Sequence, residues 1–314
     1  MICRSTRALP SARLRVGLGM LAVVCTVMPT SAASVRVCQG QEQAYEQIKR
    51  RATTLEVNAA LFSAADKRCV ALARRLLQAG ASLQARDRLG ATPLSHAAKS
   101  GDAQIVELFL ESGAAVDARD LDGSTALFLA AETGRRAAVQ TLVAHGANVN
   151  LPGRSGIAPV AAAAFMGDEP LVRLLLDKGA DANAIDATGK SAICYAASRG
   201  FPAVVRQLLD SHVDPNRHYG NDLTALMWAA GYADEAGTRD TDEILKLLID
   251  RGARLDDSDN RGRTALMIAA ALGHTAVVEL LLIRGADTSL RDKSGKSAGD
   301  LAANDALRAR LAAK

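Results

Sequence analysis

Three cysteines and two histidines are the first candidates for chemistry in this 314-residue chain. Cys3 and Cys25 lie in the first 33 residues, and Cys38, Cys69 and Cys194 follow. Cys38 and Cys69 both lie near the N-terminus and form a candidate disulfide if the chain meets an oxidising compartment, although spacing alone does not fix the geometry. Cys194, next to Ile193, reads as a buried thiol, with an odd reactive cysteine as the alternative. His212 and His218, with an acid from a nearby loop, would make a loose metal site. With Cys194 they would support a metal- or redox-linked function. No third ligand at a defined spacing completes a zinc set. The carboxylates Asp87, Asp120, Asp186, Asp259 and Asp292 all recur at one turn position, which favours a structural role over paired acid–base work. No nucleophile elbow, phosphate loop or zinc-protease motif is present. The expectation is therefore no catalytic residues, no metal, no cofactor and no enzyme.

The elements that carry these residues follow a period of 33. Thr92-Pro93-Leu94, with Ala97-Ala98 and then Gly113-Ala114, steps to Thr125-Ala126-Leu127, with Ala130-Ala131 and Gly146-Ala147. Further steps reach Ala158-Pro159-Val160, Ser191-Ala192-Ile193 and Thr224-Ala225-Leu226. After a seven-residue insertion the register resumes at Thr264-Ala265-Leu266, and Ser297 opens a truncated last copy ending in Arg308, Arg310 and Lys314. A divergent first copy holds Ala59-Ala60-Leu61. Each copy reads as a turn followed by two helices. Thr92 and Thr125 suit N-caps, Pro93 and Pro159 suit the first helical position, and Gly113 suits a left-handed helix end. One such pair cannot bury its apolar face, but a row of them can.

The period, the T-P-L start, the double alanine and the glycine-alanine close resemble ankyrin repeats over residues 55–314. The resemblance implies an all-α ankyrin-repeat solenoid of about seven repeats plus a truncated C-terminal cap, with hairpin-like tips between helix pairs. The family's T-P-L-H histidine is absent. Ser95, Phe128, Ala161, Cys194, Met227 and Met267 replace it, so hydrophobic packing is expected in place of a Thr–His network. The resemblance also implies a role in binding other proteins, because solenoids present long concave faces.

Departures from the repeat mark the candidate binding residues. The two positions after the double alanine tend to face the groove, and Lys99-Ser100 and Glu132-Thr133 are ordinary there. Repeat 4 instead places Phe165 and Met166 there, with Ile157 before its first helix. Leu223 and Tyr232 in repeat 6 and Leu272 in repeat 7 continue the apolar set. Clustered exposed apolar residues mark partner sites, although inward packing of Phe165 and Met166 is the alternative. Arg199 and the acids of the insertion at 232–241, among them Asp234 and Glu235, would set charge complementarity, unless that loop is simply solvated. His212 replaces a helix-ending glycine, and Asp222 replaces a turn glycine.

Residues 1–33 read as an export signal. Arg4, Arg7, Arg13 and Arg15 precede the apolar run Val16 to Val27, and Ser31-Ala32-Ala33 offers a cleavage site after Ala33. The run is too short to span a bilayer. The net charge of +4 belongs to this segment, and the rest of the chain holds 34 bases against 34 acids. A balanced chain argues against nucleic-acid binding. The expected organisation is a signal at 1–33, a leading helical cap at 34–54 with its helix in 38–54, and the solenoid at 55–314. The expected protein is a monomer without a membrane anchor after cleavage, periplasmic in a bacterium, with a secreted effector of host proteins as the alternative. It would bind one or more partner proteins.

Overall fold

A computed structural model describes residues 31–231 and 238–312. Residues 1–30, which carry most of the expected signal, lie outside them, as does Lys314.

The described chain is a row of helix pairs. The first helix, α1, runs Ser31–Ile48, earlier than the 38–54 span, because Thr53 opens the next helix with a capping box. Its side chain accepts from the Glu56 N–H, and the Glu56 carboxylate accepts from the Thr53 N–H. The inner helices are α2 (Thr54–Asp66), α4 (Pro93–Ser100), α6 (Ala126–Glu132), α8 (Pro159–Met166), α10 (Ala192–Arg199), α12 (Ala225–Gly231), α14 (Ala265–Leu272) and α16 (Ala298–Leu301). Each is followed by an outer partner: α3 (Val70–Gln78), α5 (Ala103–Glu111), α7 (Arg136–Ala144), α9 (Glu169–Asp177), α11 (Pro202–Asp210), α13 (Thr238–Asp250), α15 (Thr275–Ile283) and α17 (Asp305–Ala312). Every inner helix packs on the next inner helix and on its own outer partner, so contacts run to neighbours only. Among the described residues there is no strand longer than an isolated bridge.

Local chemistry explains the elements. Thr92, Thr125, Thr264 and Ser297 cap their helices by accepting the N–H three residues on. The paired alanines are fully or nearly fully buried from Ala64-Ala65 through Ala269-Ala270, and their small side chains let the inner helices approach closely. Leu72, Ile105, Val139, Leu171, Val205, Leu248 and Leu281 supply the buried stripe of the outer helices. Val106 and Phe109 are buried beside Ile105, whereas Leu110 is only partly covered.

The recurring aspartates organise the tips. One carboxylate oxygen of Asp87 accepts from the N–H groups of Leu89 and Ala91. Asp120 does the same with Asp122 and Ser124, Asp186 with Thr188 and Lys190, Asp259 with Arg261 and Arg263, and Asp292 with Ser294 and Lys296. Each aspartate thus ties up two backbone donors that the tight turn leaves unpaired. Successive tips are linked by Leu121 N–H to Leu89 O at 2.9 Å, Gly220 N–H to Gly189 O at 2.9 Å and Asn260 N–H to Asn221 O at 3.0 Å.

These bonds give the fold an acid limit. Burial pushes Asp87 and Asp186 up, but hydrogen bonds from His96, Tyr195, Thr188 and the turn N–H groups outweigh it, and both carboxyls sit below their ordinary value. Asp292 is lowered by Ser294 and by the N–H of Lys296. A carboxyl lowered on folding stabilises fully above its unfolded pKa, near about 3.9, and loses that contribution as pH falls through the lowered folded value. The thermal midpoint should therefore be flat around neutrality and fall steeply below about pH 4. Asp186→Asn keeps an acceptor for the two N–H groups but removes the charge, so its midpoint should show a shallower acid limb than the parent. Parallel acid limbs would refute this assignment.

Two tips lack the aspartate. Gly153 stands at that position in repeat 4 and Tyr219 in repeat 6. There the turn takes two successive left-handed residues, Ser155 (φ 54°) with Gly156 and Asn221 (φ 65°) with Asp222 (φ 60°). This is a type I′ arrangement. Both changes track the side chain beneath. Phe128, at the missing-histidine position of repeat 3, is fully buried under Gly153, and a Cβ on Gly153 would come within 2.2 Å of its ring. Cys194, small at the same position of repeat 5, is followed by Tyr219, which is buried beside it and Ser191. Bulk is exchanged between the two positions.

Candidate binding groove

The residues with chemical potential do not form a reactive centre. Cys38 on α1 and Cys69 at the start of α3 are joined by a disulfide, with Cα atoms 5.3 Å apart. Cys194 is fully buried, 3.8 Å from the Ser191 hydroxyl, and burial pushes its thiol up to about 11. A thiol held neutral and out of solvent is a poor nucleophile. His212 is exposed with φ 63°, in the position of a helix-ending glycine. The Nδ1–H of His218 donates to the Asp222 carbonyl at 2.8 Å, and its Nε2 is 3.5 Å from Asp257. Among the described residues, no three His, Cys, Asp or Glu side chains are grouped as metal ligands. The histidine position is filled as packing requires: Ser95, Phe128, Ala161, Cys194, Met227 and Met267 are all buried.

The apolar residues of repeat 4 do come together. The end of α8 leaves Phe165 41% and Met166 51% exposed, so they do not pack inward. They wall a concavity of about 400 Å³ with Ile157, Tyr195, Glu132 and Arg154, floored by Ala161 and Ala162. Arg154 is ion-paired with Glu132 across one rim. Arg199, exposed at the end of α10, stacks its guanidinium 4.3 Å from the centre of the Phe165 ring. Tyr195 meets Phe165 edge-on at 5.7 Å. Its hydroxyl donates to the second carboxylate oxygen of Asp186, and burial together with that bond raises its pKa. Lys190 lies 5.7 Å from the Tyr195 ring and 5.2 Å from the Trp228 ring. Phe165, Arg199, Tyr195, Lys190 and Trp228 thus form a ladder of rings and cations across repeats 4 to 6.

The other candidates are more scattered. Leu223 is half-buried against the core at the tip before α12, and Leu272 is exposed at the end of α14, three inner helices along from α8. Tyr232, Asp234 and Glu235 lie outside the described residues. Glu243, the last acid of the insertion region, pairs with Arg206 on α11 at 3.0 Å.

Tyr195, Lys190 and Trp228 are absent from the candidates read from the sequence. The signal for Tyr195 and Trp228 lies at the residue just before the double alanine, which runs His96, Leu129, Ala162, Tyr195, Trp228 and Ile268 in repeats 2 to 7, whereas Lys190 belongs to the turn ahead of α10. His96 shows what that position does elsewhere, with ring nitrogens 2.8 Å from Asp66 and 3.0 Å from Asp87. Like Tyr195, it reaches the free oxygen of its own turn aspartate.

A family model described as ankyrin repeats (3 copies) matches residues 57–152, 160–238 and 235–292. Among curated proteins, a putative ankyrin repeat-containing protein of Treponema pallidum (strain Nichols) is 47% identical over 58 residues, which is 18% of this chain and 20% of that protein. Ankyrin repeat domain-containing protein 63 of Mus musculus is 38% identical over 74 residues, 24% of this chain and 18% of that protein. Its Homo sapiens counterpart is 38% identical over the same length and is covered to 19%. The chain therefore spans about a fifth of the length of these relatives.

Proposed function

Because the chain belongs to the ankyrin-repeat family, whose repeats form protein–protein interaction modules, we propose that it is a non-catalytic binding module of the bacterial periplasm that holds a partner protein on the face of repeats 4 to 7. The observation that carries this reading is the exposed pair Phe165 and Met166 beside the stacked Arg199. Exposed aromatic, Met and Arg side chains around a concavity are the composition of an interface core. Leu223 and Leu272 extend the patch, and Ile157 supports it. Tyr232, Asp234 and Glu235 would border it. The arginine-led apolar start supports export, and so does a disulfide, which forms and persists mainly in oxidising compartments.

Affinity capture from a periplasmic extract tests the role. The double change Phe165→Ala and Met166→Ala should weaken retention of the captured protein at least about tenfold, because truncated anchors dominate binding energy. The thermal midpoint should stay within about 0.5 kcal/mol equivalent of the parent, as for other exposed positions. Unchanged capture, or a large loss of stability, would remove these residues from the site. Fractionation with N-terminal sequencing of the mature chain tests the location, with a start at Ser34 in the osmotic-shock fluid as the expected result.

A further inference from the structure

We infer that the concavity over repeat 4 is a socket for one large apolar side chain of a partner protein, received together with a neighbouring carboxylate by Arg199 or Lys190. The inference rests on the binding role proposed for the same face and names what that face selects.

The socket arises from one missing side chain. The residue before the double alanine is His96, Leu129, Tyr195, Trp228 and Ile268 in repeats 2, 3, 5, 6 and 7, but Ala162 in repeat 4 and Ser63 in the divergent first copy. A row that carries a large group in each neighbouring repeat therefore has a gap on α8. Phe165, Met166, Ile157 and Tyr195 wall that gap, so a side chain entering it is surrounded by apolar surface. Filling it removes apolar surface of both partners from water, which is the main driving force for association.

The charge beside the socket picks the neighbour of that side chain. Arg154 is already paired with Glu132, so that rim is neutral. Arg199 and Lys190 rest on aromatic faces, and neither forms an ion pair with a described residue. Each is pre-positioned by its rings, so a carboxylate meets either one without its having to be ordered first. A segment presenting a large apolar residue next to Asp or Glu satisfies socket and cation together. Nucleic acid fits less well, because it needs a broad basic surface, and the chain beyond residue 33 is charge-balanced.

Selection of a phage-displayed random peptide library on the mature chain tests this. The expected result is enriched peptides that carry Phe, Leu, Met or Trp beside an acid. Ala162→Leu fills the socket with the side chain that repeat 3 carries as Leu129. It should keep the parent's thermal midpoint and lower the affinity of those peptides at least about tenfold. Ala162→Ile, which copies Ile268 of repeat 7, serves if the leucine variant does not fold. Arg199→Glu should lower affinity for the acidic peptides and raise it for their lysine counterparts. Enrichment of basic or charge-free motifs, recovery of no peptide sensitive to residue 162, binding of polyuridylate, or self-association lost on Ala162→Leu would each overturn the inference. If Phe165→Ala with Met166→Ala releases the captured protein but Ala162→Leu does not, the socket fails and the binding role stands. If neither releases it, both fail.

Discussion

Gly153→Ala is expected to be among the most damaging single-methyl additions to this chain. The cause is steric and not conformational, because Gly153 has φ −96°, which any residue adopts. A Cβ there would meet Phe128 Cδ1 at 2.2 Å and Cγ at 2.3 Å, with the ring fully buried and unable to move aside. Overpacking of a filled core costs about 1–3 kcal/mol, and this contact belongs at the upper end. Phe128→Ala alone should also destabilise, by about 3–5 kcal/mol, because it leaves a cavity. The two changes together should cost less than their sum by at least about 1 kcal/mol, since alanine at 128 makes room for the new methyl. Urea melts of the four chains measure the coupling, and hydrogen exchange over α6 to α8 locates the damage. Additive effects would mean that Gly153 is small for a reason other than Phe128.

That pair shows what the sequence made legible and what it did not. The period of 33, the capping threonines and the buried double alanines are short-range signals, and each reads directly onto a helix start or a close approach. The turn aspartates were legible for the same reason, since their partners lie two and four residues away. The exchange of bulk between Phe128 and Gly153 spans two repeats, as does that between Cys194 and Tyr219. Each member read alone is only a departure from the pattern. The groove was half legible. Phe165 and Met166 stood out because they broke a polar rule, and Arg199 stood out as a charge at the matching position of the next repeat. Ala162 did not, because an alanine in an alanine-rich helix looks ordinary until Leu129 and Tyr195 are seen on either side of it. Tyr195 is half-buried and Trp228 buried on their inner helices, with Lys190 lying against both rings, so sequence periodicity alone merges them with the core.

Removing the disulfide is expected to release α1 while leaving the rest of the solenoid folded. Little else holds that helix. Among the described side chains of α1 only Tyr45 is buried, with Ile48 half-buried against the core, while Gln41 accepts from the Ser63 hydroxyl at 2.7 Å and Glu46 pairs with Arg75 at the surface. An exposed, solvent-screened ion pair of that kind adds little. The link between Cys38 and Cys69 closes a separation of 31 residues, for which loop entropy alone gives about 3–4 kcal/mol. That exceeds what the remaining contacts supply, so the double change Cys38→Ser and Cys69→Ser should raise hydrogen exchange through α1 by at least about a hundredfold, the equivalent of about 2.7 kcal/mol. Exchange in α6 to α15 should stay as it was, because solenoid contacts reach only to neighbouring repeats. Reductant added to the parent chain should reproduce the pattern. If α1 stays protected without the disulfide, its packing suffices and the link is dispensable. If protection is lost along the whole chain, the cap governs the entire row of repeats. The first outcome would weaken the case for an oxidising compartment, since a cap that holds without its disulfide does not need one.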